Sequence, residues 1–213
     1  MRVERFPVGP LDNNLYLLTV TGSRDAIVVD PSLESEHVLD TIQSRRLTVR
    51  KILLTHAHID HIVMVKAFHE ATQAPVWLHE GDRLFYERAE AQALSMGFEW
   101  PGNVPVARWI EDGEEVGISG LEVRAIHTPG HSPGSVTFVT SEGLIAGDVL
   151  FQGSVGRTDL PGGDWNTLLR TIRSRIFPYP DGTVVYPGHG PLTTVGQEKA
   201  TNPFVGAQAL RQA

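Results

Sequence analysis

Four side chains of the kinds that bind metal ions lie within six residues, in the run Thr55-His56-Ala57-His58-Ile59-Asp60-His61. Imidazole nitrogens and carboxylate oxygens are ligands for zinc and related divalent ions. The run follows the apolar segment 52–54, which predicts a strand that ends where the ligands begin. If the chain stays extended, side chains alternate, so His56, His58 and Asp60 point to one side and His61 to the other. This arrangement favours two adjacent metal ions over one.

Three more candidate ligands each follow a predicted strand later in the chain. His131 lies in a turn rich in proline and glycine after the apolar run 121–126, Asp148 follows the strand over 143–146, and His189 follows the strand over 183–186. Turns at strand ends are held in register by the sheet behind them. Four strand ends that carry seven ligands between them predict a metal centre at one edge of a sheet.

The elements that position these ligands belong to a chain of alternating strands and helices. The hydrophobic periodicity predicts further strands over 14–20, 26–29 and 76–78, and helices over 36–44, 61–71, 81–94 and 165–176. The segment 96–106, rich in glycine, proline and tryptophan, is predicted to be a loop.

The composition favours a single folded domain over 1–213. A chain of 213 residues with 41% hydrophobic and 20% charged residues can bury a substantial core. There is no cysteine, so the metals must be held by nitrogen and oxygen. A net charge of −7 argues against a nucleic-acid partner, because neutralising phosphates requires clustered lysine and arginine.

The two ends of the chain bear on where the protein is located and whether it assembles. The first residues hold no apolar stretch of the signal-peptide kind, and no apolar run reaches membrane-spanning length. We therefore expect a cytoplasmic protein without a membrane partner. Near the other end, Phe204, Val205 and Leu210 are expected to pack on the domain or on a second subunit, which leaves a homo-oligomer open.

The six-residue motif with His131, Asp148 and His189 downstream resembles the metallo-β-lactamase superfamily, and within it the short glyoxalase II-like hydrolases. The resemblance runs from about Pro7 through Phe204. It implies an α+β fold, the four-layer αβ/βα sandwich, with the metals at one edge of two packed sheets.

The resemblance also implies a role for each ligand. His56, His58 and His131 would hold one ion, Asp60, His61 and His189 a second, and Asp148 would bridge them. The cofactors would be two divalent ions, zinc first, with iron or manganese as alternatives. Such a pair lowers the pKa of a shared water toward ~7. Asp60 would be the catalytic residue that orients or deprotonates this water, which attacks the carbonyl of an acyl thioester.

Features outside the ligand set bear on the substrate. Secreted β-lactamases of this fold usually carry cysteine or histidine at the bridging position, so Asp148 favours a glyoxalase II-like thioesterase acting on S-lactoylglutathione or a related thioester. Arg157 is a candidate clamp for a substrate carboxylate, with pairing to Asp159 or Asp164 as the plain structural alternative. The chain ends about 24 residues after His189, so we expect no C-terminal helical glutathione-binding domain.

Two alternatives stay open. The first is a mononuclear iron persulfide dioxygenase, in which His56, His131 and Asp148 would carry the iron. The second is a non-catalytic metal-binding or partner-binding protein that has kept the fold. Metal content distinguishes the hydrolase from the dioxygenase. About two ions per chain favours hydrolysis, whereas about one iron with oxygen consumption favours the dioxygenase.

Overall fold

Two mixed β-sheets form the middle of the fold, and each is built from one half of the chain. A computed structural model of the protein describes residues 1–207 and 209. The first sheet has six strands in the order β1 to β6, and the second has the order β13-β12-β9-β8-β7, with β10 and β11 as a separate hairpin. The strands are β1 (Arg2–Val8), β2 (Asn13–Thr19), β3 (Asp25–Val29), β4 (Thr48–Leu53), β5 (Val76–His79), β6 (Val106–Ile110), β7 (Val123–His127), β8 (Val136–Thr140), β9 (Gly143–Gly147), β10 (Leu150–Phe151), β11 (Ser154–Val155), β12 (Val184–Pro187) and β13 (Thr193–Thr194).

All the described α-helices except the last lie in connections between strands. They are α1 (Glu36–Ser44), α2 (Ile59–Ile62), α3 (Val65–Thr72), α4 (Arg83–Glu87), α5 (Ala89–Met96), α6 (Trp165–Thr171) and α7 (Val195–Thr201). A 3₁₀ turn over Glu80–Asp82 precedes α4, and a π-helical turn over Ile172–Ile176 continues α6.

Three apolar clusters separate four layers of secondary structure. Along β2, Leu15 and Leu17 point into the first cluster, which packs the first sheet against α1, α3 and α5, whereas Tyr16 and Leu18 point into the second cluster, between the sheets. The third cluster packs the outer face of the second sheet against α6 and α7. The alternation of the strands thus produces the order helices, sheet, sheet, helices. The predicted α+β four-layer sandwich is confirmed.

Strand direction brings the carboxyl ends of several strands to one edge. In the first sheet β3 to β6 run parallel. In the second sheet β7 is antiparallel to β8, β8 is antiparallel to β9, and β9 is parallel to β12, so β7, β9 and β12 share one direction. The turns after β4, β7, β9 and β12 are the segments that carry the candidate ligands.

Some elements differ from the predictions. The helix predicted over 61–71 begins earlier, at Ile59, and breaks between Ile62 and Val65, so Asp60 and His61 lie in the short helix α2. The expectation that side chains alternate along an extended segment through His61 is therefore wrong. The helix predicted over 81–94 consists of a 3₁₀ turn and two helices that meet at Arg88. Strands β1 and β6 were not predicted, because both edge strands are only half-buried and lack a clear apolar alternation.

The C-terminal segment packs on the domain as far as the structure describes it. Val205 is buried in the third cluster, and the ring of Phe204 meets Trp165 edge-on. Leu210 lies outside the described residues. Within residues 1–207 and 209, none of the helices combines the length and the hydropathy that a bilayer span requires.

Candidate metal centre

Seven candidate ligands come together at the edge formed by the carboxyl ends of β4, β7, β9 and β12. Six of them form two groups whose ligand atoms lie within 4.8 Å of one another, His56 with His58 and His131, and Asp60 with His61 and His189. The buried Asp30 meets the same distance with His56 and His61. The first group is buried, whereas the side chains of Asp60 and His189 are 14% and 24% exposed. The second group therefore lies at the open side of the site.

Asp148 lies between the two groups. Its carboxylate oxygens are 3.5 Å from His131 Nε2, 3.4 Å from His61 Nε2 and 3.4 Å from His189 Nε2. Among the described residues, its Oδ1 atom is a buried polar atom without a hydrogen-bond partner. A buried carboxylate oxygen that accepts no hydrogen bond is costly. A cation at this position would remove that cost.

Most separations between ligand atoms are close to those of tetrahedral coordination. Two nitrogens held ~2.0–2.1 Å from one zinc lie roughly 3.3–3.4 Å apart at the tetrahedral angle. His131 Nε2 is 3.3 Å from His56 Nε2, whereas its distance of 2.8 Å from His58 Nδ1 is shorter than the tetrahedral separation. In the second group, His61 Nε2 is 3.1 Å from His189 Nε2, and Asp60 Oδ2 is 3.5 Å and 3.3 Å from these two atoms. The donor set therefore fits metal ions in both groups.

Backbone carbonyls fix which imidazole nitrogen faces the site. His131 Nδ1 donates to the carbonyl oxygen of Arg157, and His189 Nδ1 donates to that of Leu11, both at 2.8 Å. A carbonyl oxygen only accepts, so each Nδ1 carries a proton and Nε2 is directed at the candidate ion. The contact of Leu11 with His189 also places the segment 9–14 along the wall of the site.

The charge state differs between the two groups. Burial, together with neighbouring imidazoles, lowers the pKa of His58 to about 4, and burial also lowers the pKa of His56 well below its usual value. Burial opposes the charge on His189 as well, but hydrogen bonds to Asp148 and Asp60 raise its pKa to about 10. Burial opposes ionisation of Asp148, yet the adjacent His61 holds its pKa well below the usual range. His56 and His58 thus offer neutral nitrogens, whereas His189 is protonated and paired with the carboxylates of Asp60 and Asp148.

Two buried residues that sequence reasoning missed support the ligands. Asp30, at the end of β3, accepts hydrogen bonds from the Thr55 amide at 2.8 Å and the Thr55 hydroxyl at 2.6 Å, and it lies 3.2 Å from His61 Nδ1. Because its oxygens are already engaged, Asp30 supports the site rather than binding an ion. Asn13 donates through Nδ2 to Asp60 Oδ2 at 3.0 Å. The position of Asp30, a polar residue after an apolar strand, is the same signal that identified the ligands.

A glycine before Asp148 lets the two sheets approach at the site. Gly147 has φ of +52°, and a Cβ atom there would lie 2.5 Å from Thr55 Oγ1. Thr55 ends the connection from β4, and its carbonyl oxygen accepts the Val136 amide of β8 at 2.8 Å. The left-handed glycine therefore allows Asp148 to reach both ligand groups.

Comparison with known proteins identifies the family. A sequence profile described as the metallo-beta-lactamase superfamily matches residues 8–189. The chain belongs to the metallo-β-lactamase superfamily. The membership predicted from the seven-ligand pattern is confirmed.

Three similar proteins indicate how close the similarity is. The hydroxyacylglutathione hydrolase GloC of Haemophilus influenzae is 34% identical over 98% of this chain and 100% of its own length. The solved structure of BLEG-1, a B3 metallo-β-lactamase, has a TM-score of 0.89 and 38% identity and covers 96% of this chain and 99% of that one. The solved structure of TTHA1623 in a di-iron-bound form has a TM-score of 0.85 and 41% identity, and it covers 95% of this chain and 100% of that one.

Arg157 takes part in the metallo-β-lactamase site through its backbone. Its carbonyl oxygen orients His131, whereas its guanidinium makes two hydrogen bonds with Asp159, at 2.7 and 2.6 Å. The two side chains are 62% and 68% exposed. The structure thus shows the pairing with Asp159 that the sequence offered as the plain alternative, and the role of Arg157 as a substrate clamp stays a prediction.

Proposed function

We propose that this metallo-β-lactamase family protein is a dinuclear metal-dependent hydrolase of an acyl thioester, similar to glyoxalase II. The observation that carries the proposal is Asp148, whose buried carboxylate lies between two groups of candidate ligands and has one oxygen without a hydrogen-bond partner. His56, His58 and His131 would hold one ion, Asp60, His61 and His189 the other, and Asp148 would bridge them. Zinc suits this set of nitrogens and oxygens, and the di-iron form of a 41% identical structure supports iron as the alternative.

The ions, when bound, would activate a water and polarise the acyl carbonyl of the substrate. The water oxygen adds to the carbonyl carbon, the carbon–sulfur bond breaks, and the thiol leaves with a proton. Asp60 lies at the more open side of the site, where a substrate and a water can enter. Its hydrogen bond from Asn13 fixes one carboxylate oxygen, so that Asp60 can orient the water and accept its proton.

The substrate class rests on the bridging aspartate and on the relatives. The 34% identical relative is named a hydroxyacylglutathione hydrolase, which supports S-lactoylglutathione or a related acyl thioester as the substrate. Arg157 is the candidate contact for a substrate carboxylate. A cytoplasmic location for the activity stays a prediction.

A panel of substrates with metal analysis tests the proposal. We expect thiol release from S-lactoylglutathione or another acyl thioester by protein that holds about two ions per chain. The panel should include a β-lactam, because BLEG-1 is a structurally similar B3 metallo-β-lactamase. Faster turnover of the β-lactam than of every thioester would contradict the proposal.

The dioxygenase and the non-catalytic alternatives have their own signatures. Oxygen consumption with a glutathione persulfide, by protein that holds about one iron per chain, would indicate the dioxygenase. Metal binding without turnover of any substrate would indicate a binding protein. The partly exposed side chains of Asp60 and His189 favour a catalytic centre, since a substrate can reach that side of the site.

A further inference from the structure

One fully buried carboxylate near the site belongs to neither ligand group. Asp82 ends the 3₁₀ turn that follows β5, and it is 0% exposed. Its Oδ2 atom accepts the Ala57 amide at 2.9 Å and the Ser132 hydroxyl at 2.8 Å, and its Oδ1 atom accepts the Gly134 amide at 2.6 Å. Each donor is remote from Asp82 in sequence, so the carboxylate joins its own segment to the turn of Ala57 and to the turn that holds Ser132 and Gly134.

The donors belong to the two turns that present the first ligand group. Ala57 lies between His56 and His58, and Ser132 follows His131 directly. The contact is close: a Cβ atom on Gly134 would lie 2.4 Å from the Asp82 amide nitrogen and 2.7 Å from its Cγ. The glycine lets the turn after β7 close onto Asp82, which fixes the separation between the two turns.

We infer that Asp82 is a positioning residue for the first ion, because its carboxylate ties the His56–His58 turn to the His131 turn. The inference rests on the proposed function, in that it assumes that these three histidines bind one ion. Asp82 itself touches neither the ion nor the substrate. It acts by keeping the three nitrogens at coordination distance before the ion arrives, so that binding requires little rearrangement.

The geometry requires a carboxylate rather than an amide. Both backbone donors need an acceptor, and they lie on different oxygens of Asp82. In Asp82→Asn, whichever position the NH₂ group takes, it faces one of these two N–H groups, and that donor loses its partner. Loss of supporting contacts of this kind typically lowers metal affinity ~10–100-fold.

A buried carboxylate elsewhere in the chain gives a matched control. Glu198 is also 0% exposed and also accepts three donors, the Thr193 hydroxyl, the Gly153 amide at 2.9 Å and the Asn202 side chain at 2.7 Å. None of these donors lies within two residues of a candidate ligand. Glu198→Gln therefore removes a comparable buried network without touching the ligand turns.

The experiment measures both metal affinities of the folded protein by zinc titration against a competing chelator. His58→Ala and His189→Ala show which binding step belongs to which ligand group. The binding step that is lost in His58→Ala belongs to the first ion. We expect Asp82→Asn to lower the metal affinity of this step by ~10–100-fold and to leave the affinity of the other step unchanged. Glu198→Gln should lower the melting temperature but leave both steps unchanged. Faster amide exchange at Ala57 and Gly134 in metal-free Asp82→Asn would show that the two turns have separated.

Two results would overturn the inference. One is wild-type affinity at both steps in Asp82→Asn, even if the variant melts earlier, because Asp82 would then serve stability alone. The other is an equal loss at both steps in Asp82→Asn, which would indicate general loosening of the site. These measurements need no substrate. Selective loss of the first ion in a protein that turns over no thioester would support the role of Asp82 and contradict the proposed function.

Discussion

Replacing the bridging aspartate by its isosteric amide tests the two-metal site most directly. Asp148 lies within 3.4–3.5 Å of three imidazole Nε2 atoms, and one of its oxygens has no hydrogen-bond partner. Asp148→Asn keeps the shape and removes the charge that would offset the repulsion between two ions. Removing one partner from a buried charge pair costs ~3–5 kcal/mol. This cost corresponds to a loss of metal affinity by about two to three and a half factors of ten.

The assay is metal analysis after dialysis, followed by zinc titration and measurement of thioester turnover at saturating zinc. We expect Asp148→Asn to lose at least one ion per chain and to lose turnover even when zinc is restored. Asp181→Asn is the control, because Asp181 is 75% exposed and pairs with Lys199 away from the site. Two ions bound with wild-type affinity in Asp148→Asn would refute the bridging role, and equal losses in Asp181→Asn would point to a general effect of charge.

Three further predictions concern the substrate, protons and packing. If Arg157 clamps a substrate carboxylate, Arg157→Ala should raise KM for anionic thioesters by no more than about fivefold, because the guanidinium is exposed, and leave KM for neutral ones unchanged. An equal change for both would assign Arg157 to loop structure. In the metal-free protein the pKa of His189 is raised to about 10, and although burial opposes it, the Asp60 carboxylate raises the pKa of His61 well above its usual value. Both imidazoles are therefore protonated at pH 7.5, and binding the second ion must release these protons. Affinity for that ion should rise at least tenfold per pH unit below pH 10, and calorimetry in buffers of different ionisation enthalpy should detect the released protons. A binding enthalpy that does not depend on the buffer would contradict this prediction. Gly188→Ala should lower metal occupancy, because its Cβ atom would lie 2.1 Å from Asp148 Oδ1, whereas Gly182→Ala meets nothing within 4 Å and should bind metal normally.

The sequence indicated which residues come together at this edge, because each of the four segments that carry them follows a strand that is recognisable by itself. Apolar runs ending before His56, His131, Asp148 and His189 identify β4, β7, β9 and β12, and parallel directions bring their ends together. Local composition was sufficient here because the turns are short, so little chain lies between a strand and its ligand.

Local sequence could not predict how Asp60 and His61 are presented. The motif continues an apolar strand, and nothing in its composition shows that a helical turn starts at Ile59. Packing decides this, since Ile59 and Ile62 are buried in the first apolar cluster. The supporting residues were not predicted for a related reason. Asn13 reaches Asp60 across 47 positions, and Asp82 reaches Gly134 across 52, so neither contact leaves a local pattern.

The division of the chain between the two sheets has a kinetic consequence. Residues 56–61 leave the first sheet, whereas His131, Asp148 and His189 leave the second, so a bound ion cross-links two halves that fold from separate stretches. Such a site is complete only after the sheets have docked, late in folding. An interaction formed after the transition state slows unfolding and leaves the folding rate nearly unchanged. At a free metal concentration a hundredfold above Kd, the gain is ~2.7 kcal/mol, or roughly a hundredfold longer lifetime of the native state. The survival of this protein against proteases would then depend on the metal supply of the cell.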